Sequence, residues 1–334
     1  MRRIRIAQIG INRHSHGLEI FKSICKLSDL FEVVGYTLVE NEREECANKL
    51  HVFDGYCELS LDEIMNDPTI EAVTVETDEI HLNKYAQMAA EHGKHIHMEK
   101  PGSQDHESFE RLINTVKTGG KVFHTGYMYR YNPIISDLIK RVRAGELGEI
   151  YSVEAQMNCR HKDYNREWLN TFKGGMMFFL GCHLVDLVLQ LQGTPSNIIP
   201  LNKSTGTEGV MSEDYGMAVL EYPNGTSFVK TCAAEIGGFM RRQLVVSGTK
   251  GTVEIKPLEI LLPGTHYTQY SEKTEYTDSN DWFTEGVSSK SELHDRYDGM
   301  LTAFASMVRG ETVNPYTYDY ELELYKTILK CCGC

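Results

Sequence analysis

Short apolar runs alternate with amphipathic, helix-spaced stretches through the first 125 residues, and this alternation constrains the fold more than any other feature. Ile4 to Ile9 is an apolar run ending at Gly10, and Leu18 to Leu27 follows with helical spacing. Phe31 to Leu38 reads as a second strand and Glu42 to Leu50 as a second helix. Ile70 to Val75 has the unbroken pattern of a buried strand, and His81 to His92 is helical up to a stop at Gly93. Lys94 to Met98, Asp105 to Lys117 and Val122 to Thr125 continue the series as strand, helix and strand. Strands separated by helices need crossover connections, so the expected unit is α/β with a parallel, doubly wound sheet. Ligands in such sheets sit beyond the carboxyl ends of the strands. The residues just after each apolar run are therefore the first candidates for a site.

The texture changes after Gly126. One helix is expected over Pro133 to Arg143, then strand-like runs at Glu149 to Met157, Tyr215 to Tyr222, Thr226 to Ala234, Gln243 to Val246 and Thr252 to Ile255. Pro223-Asn224-Gly225 and Gly248-Thr249-Lys250-Gly251 are turn signals between them. Successive strands joined by short turns predict a large, mainly antiparallel open sheet. With helical patterns at Cys182 to Leu191, Asp298 to Arg309 and Asp319 to Lys330, the second half reads as an α+β domain. Pro263 to Ser291 is polar and aperiodic, and is expected to be a long surface excursion. The 334 residues exceed what one core usually serves, and the expected domains are 1–125 and 126–334.

A net charge of −13 argues against nucleic acid or an anionic membrane as a partner. No apolar stretch approaches the ~20 residues that span a bilayer. The basic start Met1-Arg2-Arg3 leads into strand-like alternation instead of a signal-peptide core, so a cytoplasmic location is expected. The nine cysteines are odd in number and lack framework spacing, which reads as free thiols. Cys331, Cys332 and Cys334 have no second cluster or nearby His to complete a metal site, so no metal is expected and adventitious oxidation is expected there instead.

Lys100, in Glu99-Lys100-Pro101, lies where the Lys94 to Met98 strand gives way to a loop. An ammonium at that edge suits a substrate hydroxyl, and Pro101 biases Lys100 towards an extended backbone. The first strand-to-helix turn, Gly10-Ile11-Asn12-Arg13-His14-Ser15-His16-Gly17, departs from the glycine-rich dinucleotide fingerprint. Gly10 stands, but Asn12 and Ser15 occupy the other two glycine positions. Asn tolerates positive φ and Ser is small, so a tight turn remains available, with Arg13 near a pyrophosphate; an ordinary βα turn is the alternative. Glu40, two residues past the position expected for the ribose-binding acid, is the candidate for that role. No basic pair follows it, which favours NAD over NADP.

Together these pieces resemble the glucose–fructose oxidoreductase / inositol dehydrogenase (Gfo/Idh/MocA) family nearly end to end. The resemblance runs through Glu71-Ala72-Val73 to Glu76, His81 and its helix to Gly93-Lys94-His95, Glu99-Lys100-Pro101, and Gly126-Tyr127-Met128-Tyr129-Arg130-Tyr131-Asn132-Pro133. It continues through Gly145-Glu146-Leu147-Gly148, Gly174-Gly175 to Gly181-Cys182-His183-Leu184-Val185-Asp186, Gly248-Thr249-Lys250-Gly251-Thr252, Phe304 and Asn314-Pro315. It implies a Rossmann domain, a second domain with a large open sheet, a nicotinamide cofactor, and dimers or tetramers through that sheet. It adds Thr77, His81, Glu99 and Lys100 to Gly10, Asn12, Arg13, His14 and Glu40 as cofactor-binding candidates.

The family's second active-site element is an Asp followed four residues later by a His. Here His183 stands, but Phe179 takes the Asp position. On one helix face Phe179 would give His183 an apolar neighbour, favouring a neutral base; a hydrogen-bonded core histidine is the alternative. Asp186 either orients His183 or is structural. Arg130 and Asn132 either bind substrate or cofactor or brace the domain junction by an ion pair. Arg160, His161, Tyr164, Arg166 and Trp168 form a polar and aromatic cluster suited to a sugar ring or to plain packing. The expected reaction passes hydride from a secondary hydroxyl of a sugar or cyclitol to NAD, with Lys100 holding the oxygen and His183 taking the proton. Glycoside cleavage through transient oxidation, and a silent ligand-binding homologue, are the competing expectations.

Overall fold

The structure is a computed structural model that describes residues 2–14, 16–265, 267–277 and 282–334; Ser15 lies outside them. The first-half strands are β1 (Ile4–Ile9), β2 (Phe31–Thr37), β3 (Ala72–Val75), β4 (His95–Met98) and β5 (Phe123–Thr125). Between them run α1 (Gly17–Lys26), α2 (Glu42–Glu45), α3 (Leu61–Asn66), α4 (Leu82–Glu91) and α5 (His106–Thr118). The sheet is parallel throughout, in the order β2-β1-β3-β4-β5. Ile4, Ile6, Ala7 and Ile9 of β1 and every residue of β3 are buried, as parallel strands covered on both faces must be. The lateral order reverses between β1 and β3, where Ile9 pairs with Val75. The segments after those two strands are therefore neighbours at the switch point where such sheets bind ligands.

Two local expectations fail here. The helix expected over Glu42 to Leu50 stops at Glu45, and Leu50–Phe53 forms a 3-10 turn. That turn lets Phe53 stack on Tyr36 (3.8 Å) and meet Phe21 edge-on (4.6 Å), so tertiary packing overrides helical propensity. α3 was not foreseen, although Ser60 and Glu63 form a reciprocal capping box at its start.

The second-half elements are α6 (Pro133–Arg143), β6 (Ile150–Asn158), α7 (Asp163–Trp168), α8 (Cys182–Gln192), β7 (Asn197–Pro200), β8 (Tyr215–Tyr222), β9 (Gly225–Cys232), β10 (Gln243–Gly248) and β11 (Gly251–Ile255). Then follow β12 (Ile260–Leu261), β13 (Thr268–Tyr270), β14 (Glu272–Thr277), β15 (Val287–Lys290) and β16 (His294–Asp295). An eight-stranded sheet, ordered β15-β14-β11-β10-β6-β9-β8-β7, is antiparallel except where β6 meets β9. α8 packs on β6 and β9. On β8 to β10, Tyr215, Met217, Val219, Phe228, Lys230 and Val245 alternate with the buried positions and are half-buried. The expected surface excursion over 263–291 instead carries β13, β14 and β15. Apart from buried Gln269, the residues of its strands are half-buried or exposed, so they never show the apolar alternation that marks a strand in sequence.

α9 (Asp298–Val308) and α10 (Tyr318–Cys332) close the chain. The compact units are Met1–Met128 with Tyr297–Tyr325, and Tyr129–Arg296 with Lys326–Cys334. The second half is thus interrupted: Phe304 of α9 stacks on His124 (5.4 Å), and Tyr325 of α10 stacks on Phe109 (4.1 Å). Apolar spacing marks these helices in sequence but does not say which sheet they cover. Of the terminal cysteines, Cys331 and Cys332 are buried and Cys334 is exposed, so burial shields two of the three thiols expected to oxidise.

Candidate functional site

The turn after β1 is held by side chains more than by glycines. Gly10 has φ +83°, and a Cβ there would lie 2.8 Å from both Glu42 Oε1 and Thr77 Cβ, so the position requires glycine. Asn12 is buried and is not among the positive-φ residues, contrary to the reason expected for it. Its Nδ2 donates to Thr77 O (3.1 Å) and Glu79 Oε2 (2.9 Å), while its Oδ1 accepts from His14 N (2.6 Å). Gly17 fills the remaining fingerprint role: a Cβ there would come within 3.0 Å of Glu76 Cβ, so its absence lets α1 pack closely on the strand ends. The residues present therefore fit a dinucleotide turn.

Two further residues brace this turn. Gln8, fully buried, donates to Gly10 O and Gly17 O, both at 3.0 Å. Lys49 donates to the carbonyls of Asn12 (2.8 Å) and exposed Arg13 (3.0 Å). A Gln inside an apolar strand was the available signal for the first; nothing local marks the second.

Glu40 is exposed at the end of β2 with φ 52°. Its Oε1 accepts from Lys84 Nζ and Tyr85 Oη, each at 2.7 Å, and His81 Nδ1 lies 3.8 Å away. Lys84 and then Tyr85 hold the carboxyl below its usual range. Thr77 is fully buried, and half-buried His81 stands at the N-cap position of α4 without a side-chain capping bond.

Lys100 sits two residues past β4 with 2% of its surface exposed, its Nζ 3.4 Å from Glu99 Oε1; the Lys100–Pro101 bond is cis. His97 of β4 belongs to the core: it is fully buried, its Nδ1 lies 2.8 Å from His124 Nδ1, and burial pushes it down to about 3.

In the second unit, His183 is the second residue of α8, buried, with Tyr129 edge-on at 5.2 Å. Residues Met177–Gly181 form a π-helical turn that leads into α8. Phe179 packs edge-on against Trp168 (5.0 Å) in a cluster with Cys159, Leu169, Met176 and Ala233. Asp186 and Arg130 form a buried ion pair, Nη2 to Oδ1 2.8 Å and Nε to Oδ2 3.1 Å, with Gln190 also donating to Asp186. Of the two readings of Arg130, the geometry gives the ion pair. Asn132 caps α6 and donates to Ser271 Oγ (2.9 Å).

The polar and aromatic cluster is an ion network around α7. Arg160 reaches Glu208 and Ala234 O, while buried Arg166 pairs with Glu208 and Asp214. Tyr164 is exposed, and burial lowers the His161 imidazole. Unforeseen beside His183 is a second network: Tyr129 Oη donates to buried Glu259 (2.6 Å), which also accepts from Arg242 (2.5 Å) and Arg296 (3.0 Å). Burial alone would raise Glu259, but the two guanidiniums hold it below its usual range.

Residues 4–127 match the oxidoreductase family model with an NAD-binding Rossmann fold, and residues 135–254 match the GFO/IDH/MocA C-terminal domain. The "Uncharacterized oxidoreductase ORF334" of Rhizobium meliloti is 26% identical over 202 residues, 59% of this chain and 58% of that protein. The scyllo-inositol 2-dehydrogenase (NADP(+)) IolW of Bacillus subtilis is 27% identical over 164 residues, 48% of this chain and 46% of that protein. The chain thus spans about half the length of these curated relatives. The aldose-aldose oxidoreductase of Caulobacter crescentus superposes with a TM-score of 0.79 at 18% identity, over 99% of this chain and 98% of that one. Both units, the switch-point turn and the Glu99-Lys100-Pro101 edge therefore place the chain in the GFO/IDH/MocA family of oxidoreductases.

Proposed function

We propose that the chain oxidises a secondary hydroxyl of a sugar, cyclitol or related polyol with a nicotinamide dinucleotide, NAD in preference to NADP. The observation that carries this reading is Lys100, an ammonium buried beside Glu99 at the carboxyl edge of a family-matching Rossmann sheet. Gly10, Asn12, Arg13 and His14 would hold the pyrophosphate, and Thr77, His81 and Glu99 would line the rest of the cofactor. Glu40 suits ribose hydroxyls, and its charge opposes a 2′-phosphate. The activity in the name of IolW supports a polyhydroxylated ring as the substrate class.

When bound, the nicotinamide takes up or returns the hydride. Lys100 donates a hydrogen bond to the reacting oxygen and favours its alkoxide character. His183 accepts the hydroxyl proton as general base. Arg160, Tyr164 and Trp168 contribute fork donors and aromatic faces to the sugar. Arg130 acts at one remove by fixing Asp186 on α8.

Thermal shift with NAD and NADP, then with sugars and cyclitols beside whichever cofactor binds, identifies the ligands. Lys100→Ala is expected to lower kcat about 10²-fold or more while leaving the Kd for cofactor in place. Wild-type turnover in that variant would end the assignment.

A further inference from the structure

The switch-point turn is bordered by four buried carboxyl groups, of which the proposed chemistry uses only that of Glu99. Glu42, Glu76, Glu79 and Glu99 are each 5% exposed or less. Glu79 is joined to the turn through the side chain of Asn12. The Asn12 amide cannot be flipped, because its Oδ1 must accept from His14 N and its Nδ2 must donate to Thr77 O. The same Nδ2 donates to Glu79 Oε2, so that oxygen is an acceptor. Glu79 Oε1 has no hydrogen-bond partner among the described residues and is where a proton would sit.

The groups facing Glu79 are the Lys100 ammonium, Asp78 on its own segment and Glu76 after β3. Glu76 in turn faces Glu99 and Glu19, and Glu42 faces Asp78. One buried ammonium cannot balance these carboxyls if all are anions, so some of them must hold protons. Burial is the largest influence on Glu79 and pushes it up to about 8; burial and then Glu99 drive Glu76 well above its usual range.

We propose that Glu79 serves the turn as a neutral carboxylic acid that positions Asn12, and that binding of the anionic dinucleotide requires Glu79 to keep its proton. The proposal rests on the reading of this turn as a cofactor site. Neutral, Glu79 offers Asn12 a carbonyl-like acceptor without adding charge beneath a pyrophosphate; ionised, it would add a buried like charge.

Calorimetric titration of NAD from pH 6 to 9.5, in buffers of differing ionisation heat, tests this. The wild-type Kd is expected to be constant at the acidic end and to rise by about tenfold per pH unit beyond the Glu79 transition, with proton uptake on binding there. Glu79→Gln keeps the acceptor without the titration and is expected to bind with the wild-type acidic-end affinity across the range. Glu79→Ala loses the acceptor and is expected to weaken binding at every pH. A flat wild-type profile, or pH dependence retained in Glu79→Gln, would overturn the proposal. If NAD fails to bind the wild type at all, the cofactor reading falls instead. Infrared difference spectra of ligand-free wild type against Glu79→Gln at pH 6.5 then decide: a protonated-carboxyl C=O band supports the neutral acid, and its absence sinks it.

Discussion

Asn12 replaces a glycine by supplying hydrogen bonds where the fingerprint needs only absence of a side chain. Asn12→Ala strands the Thr77 carbonyl and Glu79, and is expected to cost about 1–3 kcal/mol in urea denaturation, the range for unsatisfied buried polar groups. Asn12→Gly restores the fingerprint letter and should still lose stability, which separates the two ways of building the turn. Arg130→Met leaves Asp186 buried without its guanidinium and is expected to cost about 3–5 kcal/mol. Lys100, Glu99 and Gly10 were legible because strand ends and punctuation are local signals. Gly17 and Lys49 were not, because each acts on atoms that only the closed fold brings near.

At the scale of elements, α3 depends on its capping box, and Ser60→Ala is expected to lower stability by about 1 kcal/mol in denaturant melts. β14, next to the edge strand β15, is tied down by charge: Arg141, then Lys273, hold Glu275 down to about 2. A depressed carboxyl contributes stability above its unfolded value of about 4.3, and that contribution fades as pH falls towards the folded value. Glu275→Gln should therefore lower Tm at neutral pH and flatten the loss of Tm between about pH 4 and 2. The parallel sheet was readable because its strands are buried on both faces. β13 to β15 were not, because their one buried residue, Gln269, is polar and they carry no apolar period.

Over the whole molecule, the open face of the eight-stranded sheet presents Met217, Val219, Phe228 and Val245 half-covered. Apolar area of that kind marks an interface, and self-association through it is the expected use. Val219→Glu should shift sedimentation towards the monomer, whereas an unchanged profile would move the interface elsewhere. The return of 297–325 to the first unit bears on how the chain is made. A ribosome delivers the nucleotide-binding strands first, and the helices that cover His124 and Phe109 only after residues 129–296 have been made. The nascent half must wait, its hydrophobic flank uncovered, until the whole intervening unit has been read.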